Sequence, residues 1–154
     1  MASTKSAELF YYTSRDQHGV DEKRRVQIPA KWRPQRATAE LTLILWPREG
    51  IGFCVRVFPP GQLPKLKQAI DEIPKGDPQK AVLKRIIGAG LAQAGVDKAG
   101  RICLPEEMAR EAGIKNEAVF VGVFDGFEIW SPERYAKVQA ADAALAPEAF
   151  RMME

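Results

Sequence analysis

The chain has 154 residues, 45% of them hydrophobic and 28% charged, an ordinary composition for a globular protein of one large domain or two small ones sharing a core. A formal charge of +3 and a pI near 8.9 permit a nucleic-acid partner without demanding one, so the placement of charge decides. No stretch is long and apolar enough to span a membrane, and the N-terminus has no basic-then-apolar leader, so an intracellular protein is expected.

Residues 1–7 are small and polar and are expected to be loose. Phe10, Tyr11 and Tyr12 open a predicted strand over residues 9–20. The segment from Asp21 to Arg24 turns it back, and Val26 and Ile28 then alternate with Arg25 and Gln27 at the two-residue period of a half-buried strand. Pro29, which cannot donate to a ladder, ends it, and a short helix is predicted over residues 30–35. Residues 41–46 and 52–58 read as apolar strands about a turn at Pro47, Arg48, Glu49 and Gly50. Pro59, Pro60 and Gly61 mark a boundary. Leu63, Leu66, Ile70 and Ile73 then fall at helical spacing, residues 74–78 break the helix, and Val82, Leu83, Ile86 and Ile87 give the stripe of a second one.

A strand rich in small residues is predicted over 88–96, and it leads into a second copy of the first motif. Val96-Asp97-Lys98-Ala99-Gly100-Arg101-Ile102-Cys103-Leu104-Pro105 rewrites Val20-Asp21-Glu22-Lys23-Arg24-Arg25-Val26-Gln27-Ile28-Pro29 without a gap, as apolar-Asp-x-x-x-Arg-apolar-x-apolar-Pro. Repetition of this kind declares the architecture before any single residue does. Pro105, Glu106 and Glu107 suit a helix start, and Gly113 suits its C-terminal stop. Residues 118–124 and 127–130 flank Asp125-Gly126, a pair expected to supply the positive backbone angles of a tight hairpin turn. Ser131 and Pro132 begin an alanine-rich helix expected to fray after Ala146 and Pro147. Each copy thus reads strand, turn, strand, short helix, hairpin, and a unit of that size buries too little surface to stand alone. The expected fold is mostly β with short helices (α+β), its halves related by a pseudo-twofold.

Two in-frame Asp-x-x-x-Arg copies, each followed by a short helix and an apolar hairpin, resemble the MraZ family. So do Gly122-Val123-Phe124 with Phe127-Glu128-Ile129-Trp130, and Val82-Leu83-Lys84-Arg85-Ile86-Ile87-Gly88 in the connector. The resemblance runs over residues 9–135. It implies two tandem AbrB-like swapped-hairpin units packed as a pseudo-twofold β-barrel: a first, DNA-binding unit over residues 8–60, a helical connector over 61–87 and a second unit with its C-terminal helix over 88–146. It further implies a bacterial transcriptional regulator, read as a repressor, encoded with division and cell-wall genes. Such a regulator forms a homo-oligomeric ring, binds repeated promoter boxes in double-stranded DNA, and resides in the cytoplasm at the nucleoid. The DNA-contacting role falls on Arg25, with Asp21 and Lys23 beside it. One position departs from the family: Arg24 stands where Gly is usual, as at Gly100.

Charge separates the copies. Lys23, Arg24, Arg25, Lys31, Arg33 and Arg36 outnumber Asp21 and Glu22 in the first; in the second Lys98, Arg101 and Arg110 face Asp97, Glu106, Glu107 and Glu111. DNA contact is therefore assigned to the first copy, and Asp97 and Arg101 to scaffold or subunit interface. A two-stranded ribbon fits the major groove, and an arginine on it reaches guanine O6 and N7. Lys23, Arg24, Arg33 and Arg36 suit phosphates, which position without reading sequence, and Lys31 is counted with the DNA-binding residues. A plainer alternative is that each Asp and Arg only pair across a turn, which adds little stability when exposed.

The remaining residues are blander. Cys54 and Cys103 lack CxxC spacing and read as buried thiols. His18 is the only histidine, and without a second ligand beside it no metal site is expected. Trp32, Trp46 and Trp130 read as core or interface anchors. There is no Gly-rich phosphate loop, GxSxG or HExxH, so no enzyme, cofactor or small-molecule substrate is expected. A second reading is an AbrB- or antitoxin-like protein-interaction module with non-specific DNA binding, gripping its partner through residues 140–154.

Overall fold

The computed structural model describes residues 10–34 and 40–154. The predicted disorder of residues 1–7, the end of the helix at Gln35, and Arg36 lie outside them.

Six strands form one antiparallel sheet: β1 (Arg15–Gly19), β3 (Glu40–Arg48), β4 (Gly52–Phe58), β5 (Ala92–Gly95), β7 (Glu117–Gly122) and β8 (Phe127–Trp130). Their spatial order is β1-β7-β8-β4-β3-β5. Exchanging the two copies reverses this order and leaves it unchanged, with the twofold between β4 and β8. The first copy's β1 pairs with β7 of the second, and the second copy's β5 pairs with β3 of the first. The barrel expectation is corrected. Among the described residues β1 and β5 are free edges that do not pair with each other, and the sheet stays open. The strands that would lengthen it, β2 (Arg25–Gln27) and β6 (Arg101–Cys103), pair with one another instead as a separate ribbon.

That ribbon lies across one face of the sheet. Val26, Ile28, Ile102 and Leu104 are all buried and pack with Leu41, Leu43, Val55, Val57, Ala118, Phe120, Phe127 and Ile129. Strand alternation puts Cys54, Val119 and Trp130 on the opposite face, where Val138 of helix α4 (Pro132–Arg151) covers them. Ser131 caps α4 by accepting from the Arg134 amide at 3.2 Å. Arg134 then donates to the carbonyls of Phe53 and Glu111, both at 2.9 Å, tying α4 to β4 and to α3 (Glu106–Glu111). Between the halves, α1 (Leu63–Asp71) and α2 (Pro78–Gly90), the latter capped by Asp77, form a peripheral helix pair.

Several local expectations change. The predicted helix over 30–35 is a single 3-10 turn, Ala30–Trp32. Helix α2 runs through Gly88 to Gly90, so the strand expected from residue 88 begins only at Ala92. Helix α4 does not end at Ala146 and Pro147 but continues to Arg151, with Pro147 inside it at the loss of one backbone hydrogen bond to the preceding turn. In the β7–β8 hairpin the positive φ of 73° belongs to Phe124. Gly126 is required for another reason, since a Cβ there would lie 2.4 Å from the Val57 carbonyl oxygen.

Candidate nucleic-acid interface

The two repeat motifs meet in the β2–β6 ribbon. Arg25 lies opposite Cys103, Val26 opposite Ile102 and Gln27 opposite Arg101. Because side chains alternate, burial of the central Val26–Ile102 pair turns Arg25, Gln27, Arg101 and Cys103 outward. Arg25 and Arg101 are diagonal neighbours, within mutual reach of long side chains, and with Asp21 and Gln27 they line one shallow depression.

Both arginines are held in the same way. The Asp21 carboxylate accepts from the backbone amides of Lys23 (2.9 Å) and Arg25 (2.8 Å) and from Arg25 Nε (2.7 Å). Asp97 accepts from the amides of Ala99 and Arg101, both at 2.9 Å, and from Arg101 Nε at 3.1 Å. In each copy the turn closes through reciprocal backbone bonds, Asp21 with Arg25 and Arg24, and Asp97 with Arg101 and Gly100. The Arg25 amide above all, and the Arg101 amide in the second copy, hold the aspartates below their ordinary 3.8, so both are ionised at neutral pH. The Asp–Arg pair is therefore present in both copies. It does more than join two charges: one aspartate carboxylate orders a turn and aims a guanidinium outward, leaving the terminal nitrogens of Arg25 and Arg101 without a partner among the described residues.

The copies also clasp one another. Ile28 donates to the Gly100 carbonyl and Leu104 to the Arg24 carbonyl, each at 2.9 Å, extending the ladder by one pair at either end. Gln27 Nε2 reaches the Ala99 carbonyl, and its repeat equivalent Cys103 donates to the Lys23 carbonyl at 3.3 Å.

Of the sequence-predicted site residues, Asp21, Lys23 and Arg25 lie on or beside this outer face, with Lys23 exposed; Lys31, also exposed, stands in the 3-10 turn and donates to Ser14 Oγ. Arg24 and Arg33 are placed differently: the Nε of each bonds a ribbon carbonyl, Leu104 and Ile28 respectively, both at 3.0 Å. Arg24 holds φ at 61°, where a side chain costs roughly 1–2 kcal/mol. Arg101, assigned from charge to scaffold or interface, stands on the same face as Arg25. Sequence reasoning overlooked Gln27, although its alternation with Val26 signalled it. It also misplaced Cys103, which is exposed; only Cys54 is buried, and burial pushes that thiol up to about 12.

The family model described as "MraZ protein, putative antitoxin-like" matches residues 89–153, the second copy and α4. A relative from Thermomicrobium roseum, named Transcriptional regulator MraZ, is 33% identical over 137 residues, covering 88% of this chain and 92% of its own. The chain belongs to the MraZ family. A Herpetosiphon aurantiacus protein of the same name is 37% identical over 131 residues, covering 85% of this chain and 88% of its own. One from Roseiflexus castenholzii is 33% identical over 125 residues, covering 81% and 84%. MraZ relatives thus align with both copies and the connector between them. Their names are those of regulators, in keeping with the expectation that this chain is not an enzyme.

Proposed function

We propose that this MraZ protein is a sequence-specific DNA-binding transcriptional regulator, and that the β2–β6 ribbon reads the DNA. One observation carries the reading: two aspartate-held arginines project from one outer face of a two-stranded ribbon whose other face is core. A major groove about 12 Å wide admits such a ribbon, and an arginine meeting guanine bidentately contributes roughly 1–3 kcal/mol of discrimination. Arg25 and Arg101 are the readers in this proposal; Gln27 between them suits an adenine edge, and Lys23 and Lys31 meet phosphates. The strand exchange between halves supports two tandem swapped-hairpin units, 8–60 and 88–146, joined by the connector 61–87. The family resemblance supports the finer reading of a cytoplasmic, nucleoid-associated repressor of the division and cell-wall gene cluster, acting as a ring on repeated boxes. A ring fits weak single ribbons, since simultaneous engagement multiplies affinity roughly 10²–10⁴-fold when spacing matches.

The test is fluorescence anisotropy with labelled duplex from upstream of the protein's own operon, against a scrambled duplex, at two salt concentrations. Selective binding that both Arg25→Ala and Arg101→Ala abolish supports the reading. Equal, weak binding to both duplexes that vanishes with salt overturns it, leaving phosphate attraction alone. The protein-interaction reading would then lead. The "antitoxin-like" family description and the exposed Leu145, Phe150, Met152 and Met153 of the C-terminal tail favour it.

A further inference from the structure

The pseudo-twofold makes two equivalent positions at the ends of the ribbon. One lies beside residue 24 and the Leu104 carbonyl, the other beside residue 100 and the Ile28 carbonyl. A guanidinium fills both, but from different places in the sequence. At the first, Arg24 folds its own side chain onto the Leu104 carbonyl. At the second, Gly100 has no side chain, and Arg33 arrives from beyond the 3-10 turn to bond the Ile28 carbonyl. A Cβ on Gly100 would come within 2.4 Å of Arg33 Cζ, so a side chain there would push the Arg33 guanidinium aside, and the φ of +82° itself favours glycine. In the repeat alignment the counterpart of Arg33 is Ala109, which brings no guanidinium, and position 24 supplies one instead.

We infer that Arg24 and Arg33 are positioning residues, a matched pair of clamps that fix the two Asp-x-x-x-Arg turns against each other and so set the spacing of Arg25 and Arg101. This deepens the DNA-reading proposal and rests on it for its functional half. It accounts for Arg24 in a glycine position: the departure supplies the guanidinium that Ala109 does not. With their Nε groups on ribbon carbonyls, Arg24 and Arg33 take a positioning role in this inference in place of the phosphate contact that their charge alone suggests.

The test uses the full-length protein and the variants Arg33→Ala, Arg24→Gly, Gly100→Ala and Gly100→Ala with Arg33→Ala. Thermal unfolding without DNA comes first. Gly100→Ala displaces Arg33 and so already breaks its bond to Ile28; the double variant is expected to melt close to Gly100→Ala alone, well above the sum of the two losses. Strict additivity of the melting shifts overturns the clamp, and this readout stands even if the protein binds no DNA. With the native and scrambled duplexes, well below the melting temperature, Arg33→Ala is expected to reduce the selectivity ratio about five-fold or more, the low end of one bidentate contact. The slope of log affinity on log salt stays at its wild-type value. A slope shallower by about 0.9 with selectivity intact marks Arg33 as a phosphate contact and overturns the inference. Arg24→Gly, which relieves the positive φ, is expected to lose selectivity all the same; unchanged selectivity there overturns the Arg24 half.

Discussion

Trp32→Ala tests whether the ribbon is anchored to the sheet as described. Trp32 is 1% exposed and stands in the 3-10 turn that follows the first motif, between Lys31 and Arg33. Its ring packs against Phe127 at 4.8 Å, Tyr12 at 5.9 Å and Phe120 at 6.4 Å between centroids, and its Nε1 donates to the Thr13 carbonyl at 3.2 Å. Truncating a buried tryptophan costs about 3–5 kcal/mol. In a chain of this length each kcal/mol moves the midpoint by about 2–4 °C, so the expected fall in Tm is about 6–20 °C. Trp32→Phe keeps most of the ring and loses the bond to Thr13, on the order of 1 kcal/mol together with some volume, and should fall by only a few degrees. Circular dichroism melts of the three proteins, at matched concentration, give the ordering. A Trp32→Ala midpoint within about 3 °C of wild type would refute the anchoring.

Three further outcomes rest on the same packing. Gly122→Ala would set a Cβ 2.5 Å from the Tyr12 carbonyl oxygen, a backbone atom that cannot swing aside, and should lower the stability measured in urea by about 1–3 kcal/mol, while Gly76→Ala, with open space around it, should stay within about 0.5 kcal/mol. A thiol reagent at neutral pH should modify Cys103 and spare Cys54 until the chain is unfolded; mass spectrometry showing both modified in the native protein contradicts the burial of Cys54. Because folding lowers the Asp21 and Asp97 values below 3.8, their contribution is complete above that pH and is lost as pH falls through the folded values. Carboxyl ¹³C shifts should therefore titrate below 3.8, and a midpoint at or above it removes the turn bonds from the account.

Much of this fold was legible because it is written twice. The duplicated motif gave the paired turns, and apolar runs bounded by turn residues gave β3, β4, β7 and β8, since both signals are local properties of the chain. What stayed hidden depends on partners far away in sequence. Whether Val26 and Ile102 face each other or join the sheet edge cannot be read locally, and that choice separates an open sheet from a barrel. Cys103 looked buried because its neighbours Ile102 and Leu104 are apolar; strand parity turns it outward. Net charge sorted the copies into reader and scaffold, but their register sets Arg101 on the same face as Arg25. The bond from Arg24 to the Leu104 carbonyl, 80 residues away, was equally beyond local reading.

Strand exchange also bears on whether either half stands alone. Each copy keeps only its own hairpin, β3–β4 or β7–β8; the pairings β1–β7, β3–β5, β4–β8 and β2–β6 all cross between copies. A fragment ending in the connector would expose the inner faces of Leu41, Leu43, Val55 and Val57, and its three-residue β2 would lose β6 and keep only the Val20–Val26 bridge. A lone hairpin with a dangling strand buries too little surface to offset chain entropy. Separate fragments 1–76 and 77–154 should thus show little fixed tertiary structure as monomers, by near-ultraviolet circular dichroism at low concentration. Mixing them should restore the native spectrum with one-to-one stoichiometry. A second fragment that folds cooperatively as a monomer would break the argument, because its Phe127 and Ile129 would then have found a core without Val55 and Val57. In the intact chain the connector removes the concentration dependence of that assembly, and this lets two imperfect copies diverge in charge and still close one ribbon.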